Sequence, residues 1–129
     1  MKYIALVLLV VVILSACQSE KVVTQQQPST PATGTKVFKI TGENYKFFMD
    51  GKEAPEVSVK QGDKVRIELT SIGGMHDWVV DQFNAKTERV SDGQSTSVEF
   101  IAAQKGTFEY YCSVGQHRQM GMVGKLIVE

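Results

Sequence analysis

The distribution of apolar and polar positions divides the chain into three stretches. Residues 3–14 (YIALVLLVVVIL) are uninterruptedly apolar, residues 18–35 (QSEKVVTQQQPSTPATGT) are mostly polar, and residues 36–129 alternate between apolar and polar positions in short runs. An alternation of period two is typical of half-buried β-strands, whereas amphipathic helices repeat every 3.6 residues. The third stretch therefore predicts one all-β domain, and the first two form an appendage to it.

The alternation is clearest in residues 64–69, where Val65, Ile67 and Leu69 share one face and charged side chains share the other. Further strands are predicted over residues 37–41, 56–60, 76–81, 96–101, 107–112 and 123–128, with turns at 61–63, 92–93 and 105–106. About seven to eight short strands in a domain of this size predict a β-sandwich. Side-chain parity places Cys112 inward at the end of its strand and Trp78 in the core.

The start of the chain has the pattern of an exported protein. As a helix, the apolar stretch would span about 18 Å, well short of the roughly 30 Å hydrocarbon core of a bilayer. With Lys2 before it and small residues after it, residues 1–16 are predicted to be a signal peptide. The alternative interpretation is a plain secretory signal with a cysteine nearby by chance.

Leu14-Ser15-Ala16-Cys17 also resembles the lipobox of bacterial lipoproteins. That resemblance implies that the Cys17 thiol receives a diacylglycerol and that Cys17 becomes the mature N-terminus. We therefore expect an extracytoplasmic protein that is lipid-anchored to the membrane, in the cell envelope or periplasm or on the outer cell surface. Residues 17–35 would form a disordered tether with a reach of about 25 Å when flexible and about 60 Å when fully extended.

Charge and composition narrow the classes of function. The chain has 14 Lys and Arg against 14 Asp and Glu, without a basic run. This argues against nucleic acid as a partner, because phosphate binding needs clustered basic residues. The chain has two histidines, and Cys112 is the one cysteine after Cys17. Any chemistry that uses histidine and cysteine in the β-domain must therefore use nearly all of them.

These few residues form one constellation. Cys112, His117, Met120 and Met122 lie within residues 112–122 (CSVGQHRQMGM), and His76 lies 36 residues before Cys112. One thiolate, two imidazoles and a thioether are the ligands of a blue-copper electron-transfer site. A loop that leaves one strand at Cys112 and enters the next near Met122 can fold back over one point, which His76 reaches from a neighbouring strand. We therefore predict one copper ion per chain.

The residues around this loop carry a family resemblance. Residues 106–113 (GTFEYYCS), together with His117 and residues 121–126 (GMVGKL), resemble the copper loop of cupredoxins of the plastocyanin/azurin group. The resemblance covers about residues 36–129, including residues 61–63 and 76–78. It implies a Greek-key β-sandwich with the metal at one end. It also implies equatorial ligation by His76, Cys112 and His117 and axial ligation by Met122, with Met120 as the alternative.

Two neighbouring positions complete the resemblance. Tyr110 matches the tyrosine-corner position, which implies a structural role. Asp77 stands where many members have Asn, a residue that helps to tie the ligand loops together, so the rigidity of the loops and the redox potential depend on how Asp77 is used.

We expect a one-electron carrier, with copper delivery or storage without redox cycling as the alternative. An enzyme is not expected. Multinuclear copper oxidases need many more histidines, a binuclear thiolate-bridged centre needs a second loop cysteine that Ser113 and Gln116 cannot replace, and no Gly-x-Ser-x-Gly motif occurs. The expected partners are other redox proteins and, through the lipid, the membrane, and the protein is expected to be a monomer.

We expect electrons to enter or leave through an exit patch formed by His117, Met120 and Val114. Loops cluster at the exposed ends of a sandwich, and small apolar interfaces suit brief redox encounters. Arg118 beside the histidine would either steer an acidic partner or pair with a neighbouring carboxylate.

Overall fold

The structure, a computed structural model, describes residues 34–129. The predicted signal peptide, Cys17 and the predicted tether up to residue 33 lie outside the described residues, and Thr35, the last residue assigned to the tether, begins the first strand. Within the described residues, no helix has the length and apolar character needed to cross a membrane.

Two five-stranded sheets pack face to face. The ten strands in chain order are β1 (Thr35–Glu43), β2 (Lys46–Met49), β3 (Lys52–Glu53), β4 (Glu56–Val59), β5 (Lys64–Ser71), β6 (Val79–Val80), β7 (Ala85–Lys86), β8 (Ser95–Ile101), β9 (Gly106–Tyr111) and β10 (Val123–Val128). One sheet has the order β3-β2-β1-β5-β8 and the other has the order β4-β10-β9-β6-β7.

The pairing is mixed and the connections cross between the sheets. β1 is parallel to β5 from Thr35 opposite Lys64 to Gly42 opposite Ser71. β10 is parallel to β4 and antiparallel to β9. Five connections change sheets: β3 to β4, β4 to β5, β5 to β6, β7 to β8 and β8 to β9. The predicted all-β sandwich is thus confirmed.

The core lies between the sheets, on the faces that alternation predicts. Val65, Ile67 and Leu69 are completely buried. Trp78 is also completely buried, with its ring 5.3 Å from that of Tyr110 and 6.0 Å from that of Phe100 between centroids. Cys112 follows β9 and is buried at the edge of this core, so the predicted placements of Cys112 and Trp78 are confirmed.

The Tyr110 side chain extends from β9 across β10 to the residue before β4. Its hydroxyl donates a hydrogen bond of 2.5 Å to the carbonyl of Pro55, just before β4. The ring crosses Gly124 so closely that a Cβ there would lie 2.2 Å from it. Tyr110 therefore has a structural role, but its hydroxyl bonds a residue 55 positions away rather than one in its own corner. The same contact explains why glycine stands between Val123 and Lys125.

One predicted strand needs correction, and three short strands were not predicted. Residues 76–81 form a strand only at Val79–Val80, after a single bridge between His76 and Val90, and Asp81–Phe83 form a 3-10 turn. Regular pairing fails here because the Trp78 N–H donates to the Thr87 hydroxyl instead of to a carbonyl. The sequence analysis also missed β2, where adjacent aromatic residues conceal the alternation, and missed β3 and β7, which are two residues long.

Candidate metal centre

Three metal-ligating side chains converge at one end of the sandwich. Sγ of Cys112 lies 3.5 Å from Nδ1 of His117 and 3.9 Å from Nδ1 of His76. Ligand atoms of all three residues lie within 4.8 Å of one another. Imidazole nitrogen and thiolate bonds to a metal of about 2.0–2.3 Å, arranged trigonally, separate the donors by about 3.5–4.0 Å. The donor set and its spacing therefore fit one copper ion.

The ligand loop between β9 and β10 is held by its own backbone. The Cys112 N–H donates to the Met122 carbonyl (3.1 Å), and the Met122 N–H donates to the His117 carbonyl (2.9 Å). The His117 N–H donates to the Val114 carbonyl (3.0 Å). These bonds fold residues 112–122 into a closed turn, so the loop returns over its own start and brings His117 to Cys112.

His76 reaches the same point from the segment between β5 and β6. Its N–H and carbonyl both bond Val90 at 3.0 Å, and its side chain is buried. Burial lowers the pKa of His76, and the neighbouring His117 lowers it further. The neutral imidazole that results is the form that binds a metal. Nε2 is buried without a hydrogen-bond partner among residues 34–129, whereas Nδ1 faces the thiol.

Burial raises the pKa of the Cys112 thiol. Metal binding requires the thiolate, and a cationic metal displaces the thiol proton when it binds. Cys112 is therefore a buried small side chain without the metal and a strong anionic ligand with it. The described part of the chain contains no second cysteine.

The two methionines of the loop occupy different environments. Met122 is fully buried, and a Cβ on Gly42 would lie 3.0 Å from its methyl carbon and 3.1 Å from Cγ of His76. Met122 and His76 thus both lie against Gly42 at the end of β1. Met120 is about half exposed. The axial role of Met122 stays a prediction, but Met122 is the methionine that lies inside the sandwich beside a histidine ligand.

Asp77 ties the two ligand loops together. Its carboxylate accepts hydrogen bonds from the N–H and the hydroxyl of Ser113, each 2.6 Å, and from the Arg89 guanidinium at 3.3 Å. Burial alone would raise the pKa of Asp77, but the two Ser113 bonds and the Arg89 bond outweigh it and lower that pKa. Asp77, the residue after His76, therefore acts as an anionic brace that links this segment to Ser113, the residue after Cys112.

The residues of the predicted exit patch are His117, the less buried of the two histidines, together with Val114 and Met120. His117 and Val114 are partly buried and Met120 is exposed. His117, Val114 and Met75 line a shallow cavity of about 190 Å³. Arg118 forms an ion pair of 2.6 Å with Glu109 and lies 3.8 Å above the Tyr111 ring. Of the two alternatives for Arg118, pairing with a carboxylate is the one observed.

The sequence analysis missed Tyr45. It lies in the turn between β1 and β2, and its ring makes an edge-on contact with His117, with 4.9 Å between centroids and 83° between planes. Cross-sheet contacts of this kind join residues 72 positions apart in the sequence. A turn containing a tyrosine next to an asparagine is the one local feature that could have drawn attention to it.

Comparison with known proteins agrees with this geometry. Residues 19–129 match the model of the copper binding proteins of the plastocyanin/azurin family. A nitrous-oxide reductase from Stutzerimonas stutzeri is 38% identical over 79 residues, which are 57% of this chain and 12% of the reductase. The chain thus matches about an eighth of that relative's length.

Solved structures with the same fold include two auracyanins. Auracyanin B superposes with a TM-score of 0.63 at 21% identity, covering 78% of this chain and 91% of that one. Auracyanin A from Chloroflexus aurantiacus, a blue copper protein, gives 0.62 at 21% identity, covering 74% of this chain and all of that one. At these identities the likeness shows the fold.

Proposed function

The chain belongs to the plastocyanin/azurin family of copper-binding proteins, and we propose that it is a type 1 copper protein that carries single electrons in the cell envelope. The observation that carries this proposal is the Cys112 thiol with an imidazole Nδ1 within 4 Å on each side. Copper held by His76, Cys112 and His117, with Met122 as the fourth ligand, would supply a centre that exchanges single electrons between Cu(I) and Cu(II).

The surroundings of these ligands favour a small barrier to electron transfer. The backbone bonds of His76 to Val90 and the turn around His117 fix the positions of the two histidine ligands. Asp77 holds the two loops at a common spacing. Ligands that move little between oxidation states need little reorganisation, and this rigidity is the contribution of the protein.

A surface for brief encounters lies at the same end. Tyr45, Ile72, Met75 and Met120 are four of the six large apolar side chains exposed within residues 34–129, and three of them lie on turns or loops that carry or contact His117. Small interfaces of this type suit redox partners that must dissociate quickly. We propose that electrons pass through His117 and the exit patch of His117, Met120 and Val114.

The decisive experiment is an absorption spectrum of the copper-loaded full chain, followed by a reductive and oxidative cycle. An intense visible band from Cu(II)–thiolate charge transfer that bleaches with one electron per chain and returns on oxidation supports an electron carrier. A protein that gives copper to a chelator faster than it exchanges electrons would instead support the delivery alternative. A weak band would contradict the type 1 site.

The exit patch has its own test in electron self-exchange, measured by NMR line broadening. Met120→Glu is expected to slow self-exchange strongly and to leave the spectrum almost unchanged, because a charge blocks an apolar encounter without touching the ligands. Ile101→Glu is the matched control, since Ile101 is equally exposed but lies on β8. Unchanged self-exchange in Met120→Glu and in Val114→Glu would contradict this route.

We also propose that Cys17 anchors the protein to a membrane by its lipid. Stable attachment needs two or more acyl chains, which lipoprotein processing supplies. Cys17→Ser is expected to move the protein from the membrane fraction to the soluble fraction, while Ser19→Ala should leave it in place. Equal recovery of Cys17→Ser and wild type in the membrane fraction would contradict anchoring.

A further inference from the structure

The turn between β1 and β2 has an unfavourable residue at its tip. Glu43 pairs with Lys46, so Asn44 and Tyr45 alone form the turn. Both have positive φ, 47° and 61°. A two-residue turn of this type matches the twist of the strands and is usually made by Asn-Gly. Asn44 follows that preference, but Tyr45 occupies the position where glycine adopts the same backbone without strain.

The side chain of Tyr45 contacts a copper ligand. Its ring lies edge-on to the His117 imidazole, with the centroids 4.9 Å apart, although the residue remains about 43% exposed. The rest of the hairpin also lies against the site, because Gly42 approaches both Met122 and His76. A residue keeps a strained backbone conformation only where the surrounding structure holds it there, and such residues cluster at functional sites.

The two histidines differ in how much else holds them. His76 is 2% exposed and bonded to Val90 through both backbone groups. His117 lies in a turn and is only partly buried. Its imidazole packs against the His76 ring, 5.2 Å away between centroids, and against Tyr45. Without Tyr45, the outer side of the His117 ring would lose its aromatic contact.

We propose that Tyr45 is a positioning residue that holds the His117 imidazole with Nδ1 directed at the Cys112 thiol. This inference rests on the copper site of the proposed function. The ring contact favours the ligating orientation of His117, and the strained turn is the consequence of placing a large side chain at that point. An edge-on aromatic pair changes an equilibrium by roughly 2- to 12-fold.

The test compares three variants of the full chain, which separate the ring from the backbone strain. Tyr45→Gly removes the ring and relieves the strain, Tyr45→Phe keeps the ring, and Asn44→Gly relaxes the neighbouring turn position while keeping Tyr45. Two quantities are measured: the rate at which reduced, copper-loaded protein loses copper to an excess of a Cu(I) chelator, and the urea midpoint of the copper-free protein.

Tyr45→Gly is expected to lose copper about 3- to 10-fold faster while its urea midpoint stays equal to wild type or rises. Tyr45→Phe should lose copper within about 2-fold of the wild-type rate, and Asn44→Gly should match wild type in copper loss. If Tyr45→Gly loses copper at the wild-type rate, the proposal is overturned. So would equally fast loss in Tyr45→Phe, or a fall in the midpoint of Tyr45→Gly, since that would indicate a structural role.

Failure of the copper site itself gives a different result. If wild type shows no intense visible band when loaded with copper, the proposed function fails before any Tyr45 variant is compared. If wild type shows the band and Tyr45→Gly behaves as wild type, the copper site stands and the positioning role alone is wrong.

Discussion

At the copper end, side-chain hydrogen bonds tie loops to one another in addition to the main-chain bonds within each loop, whereas the opposite end is closed mainly by main-chain hydrogen bonds. At the copper end, Asp77 bonds Ser113, the Asp92 carboxylate accepts the Gly73 N–H at 2.6 Å, and the Ser71 hydroxyl donates to the Gly74 carbonyl at 2.9 Å. These bonds depend on particular residue types. A substitution here can release a loop while the sheets stay paired.

At the opposite end the backbone closes on itself. The Gln61 N–H donates to the Glu129 carbonyl, the Glu129 N–H donates to Val59, and Gly62 and Asp63 bond Ala102, all at 2.8–3.0 Å. Most residue types could make these bonds. The comparison teaches that ligand geometry depends on the side chains of the copper end and not on the far end, so substitutions at the far end should leave the metal site unchanged.

Cys112→Ser is expected to have the largest effect, because it removes the one thiol of the site. The intense visible absorption of the copper-loaded protein should disappear completely, while circular dichroism should still show a folded β-protein. Ser113→Ala, which keeps the thiol beside it, should retain the absorption. Persistence of the band in Cys112→Ser would refute the ligand assignment, and unfolding would break the proposed separation of the two ends.

Asp77→Ala tests whether side chains hold the copper end. It removes three hydrogen bonds from a buried carboxylate, so the copper-free protein should lose about 2–4 kcal/mol in free energy of unfolding, and copper loss should become faster. Asp92→Ala is the matched control, since Asp92 is exposed and accepts one loop N–H. Equal free energies of unfolding for the two variants in urea titrations would show that Asp77 is not the brace.

Met122→Gln sharpens the comparison within the copper end. An amide oxygen favours Cu(II) more than a thioether does, and the weak axial bond tunes the potential more than it retains the metal. The variant should therefore keep its copper and have a lower reduction potential by voltammetry. Met120→Gln, at the exposed methionine, should shift the potential much less. A larger shift in Met120→Gln would reverse the axial assignment.

Asp63→Asn tests the opposite end and should have the smallest effect on the metal. In the wild-type protein, the pKa of the Asp63 carboxyl group is lowered from an ordinary value of 3.8. The main cause is the Lys36 ammonium at 2.7 Å, and the second is the hydrogen bond from the Lys60 N–H. A lowered pKa in the folded state means that the carboxylate stabilises the fold above pH 3.8 and loses this contribution as pH falls through the folded-state pKa.

Asp63→Asn should therefore be less stable than wild type at pH 7, and the difference should shrink below about pH 3.8. Lys36→Ala keeps the Lys60 bond and should show part of this loss. The visible spectrum and potential should match wild type in both variants. A spectral change in Asp63→Asn would mean that the two ends are coupled, and a stability difference that persists at low pH would contradict the role assigned to the charge.

The ligand set was predictable because it depends on residue types that are scarce in this chain. With two histidines and one cysteine after Cys17, few other combinations were available. The family resemblance drew attention to position 77 as one that ties the ligand loops, but the partner of Asp77, Ser113, lies 36 positions away and could not be predicted from the sequence. The burial of Met122 against Gly42 is a feature of the tertiary structure that the sequence does not give.

By itself, the sequence determined which faces of the long strands are buried, because alternation is a local property of neighbouring side chains. Val65, Ile67 and Leu69 show this, and so does the inward position of Cys112. Only the tertiary structure decided the irregular bridge at His76, the pairing of Arg118 with Glu109 and the contact of Tyr45 with His117. The last of these joins two turns that are 72 positions apart in the sequence and belong to different sheets, so no periodicity along the chain could report it.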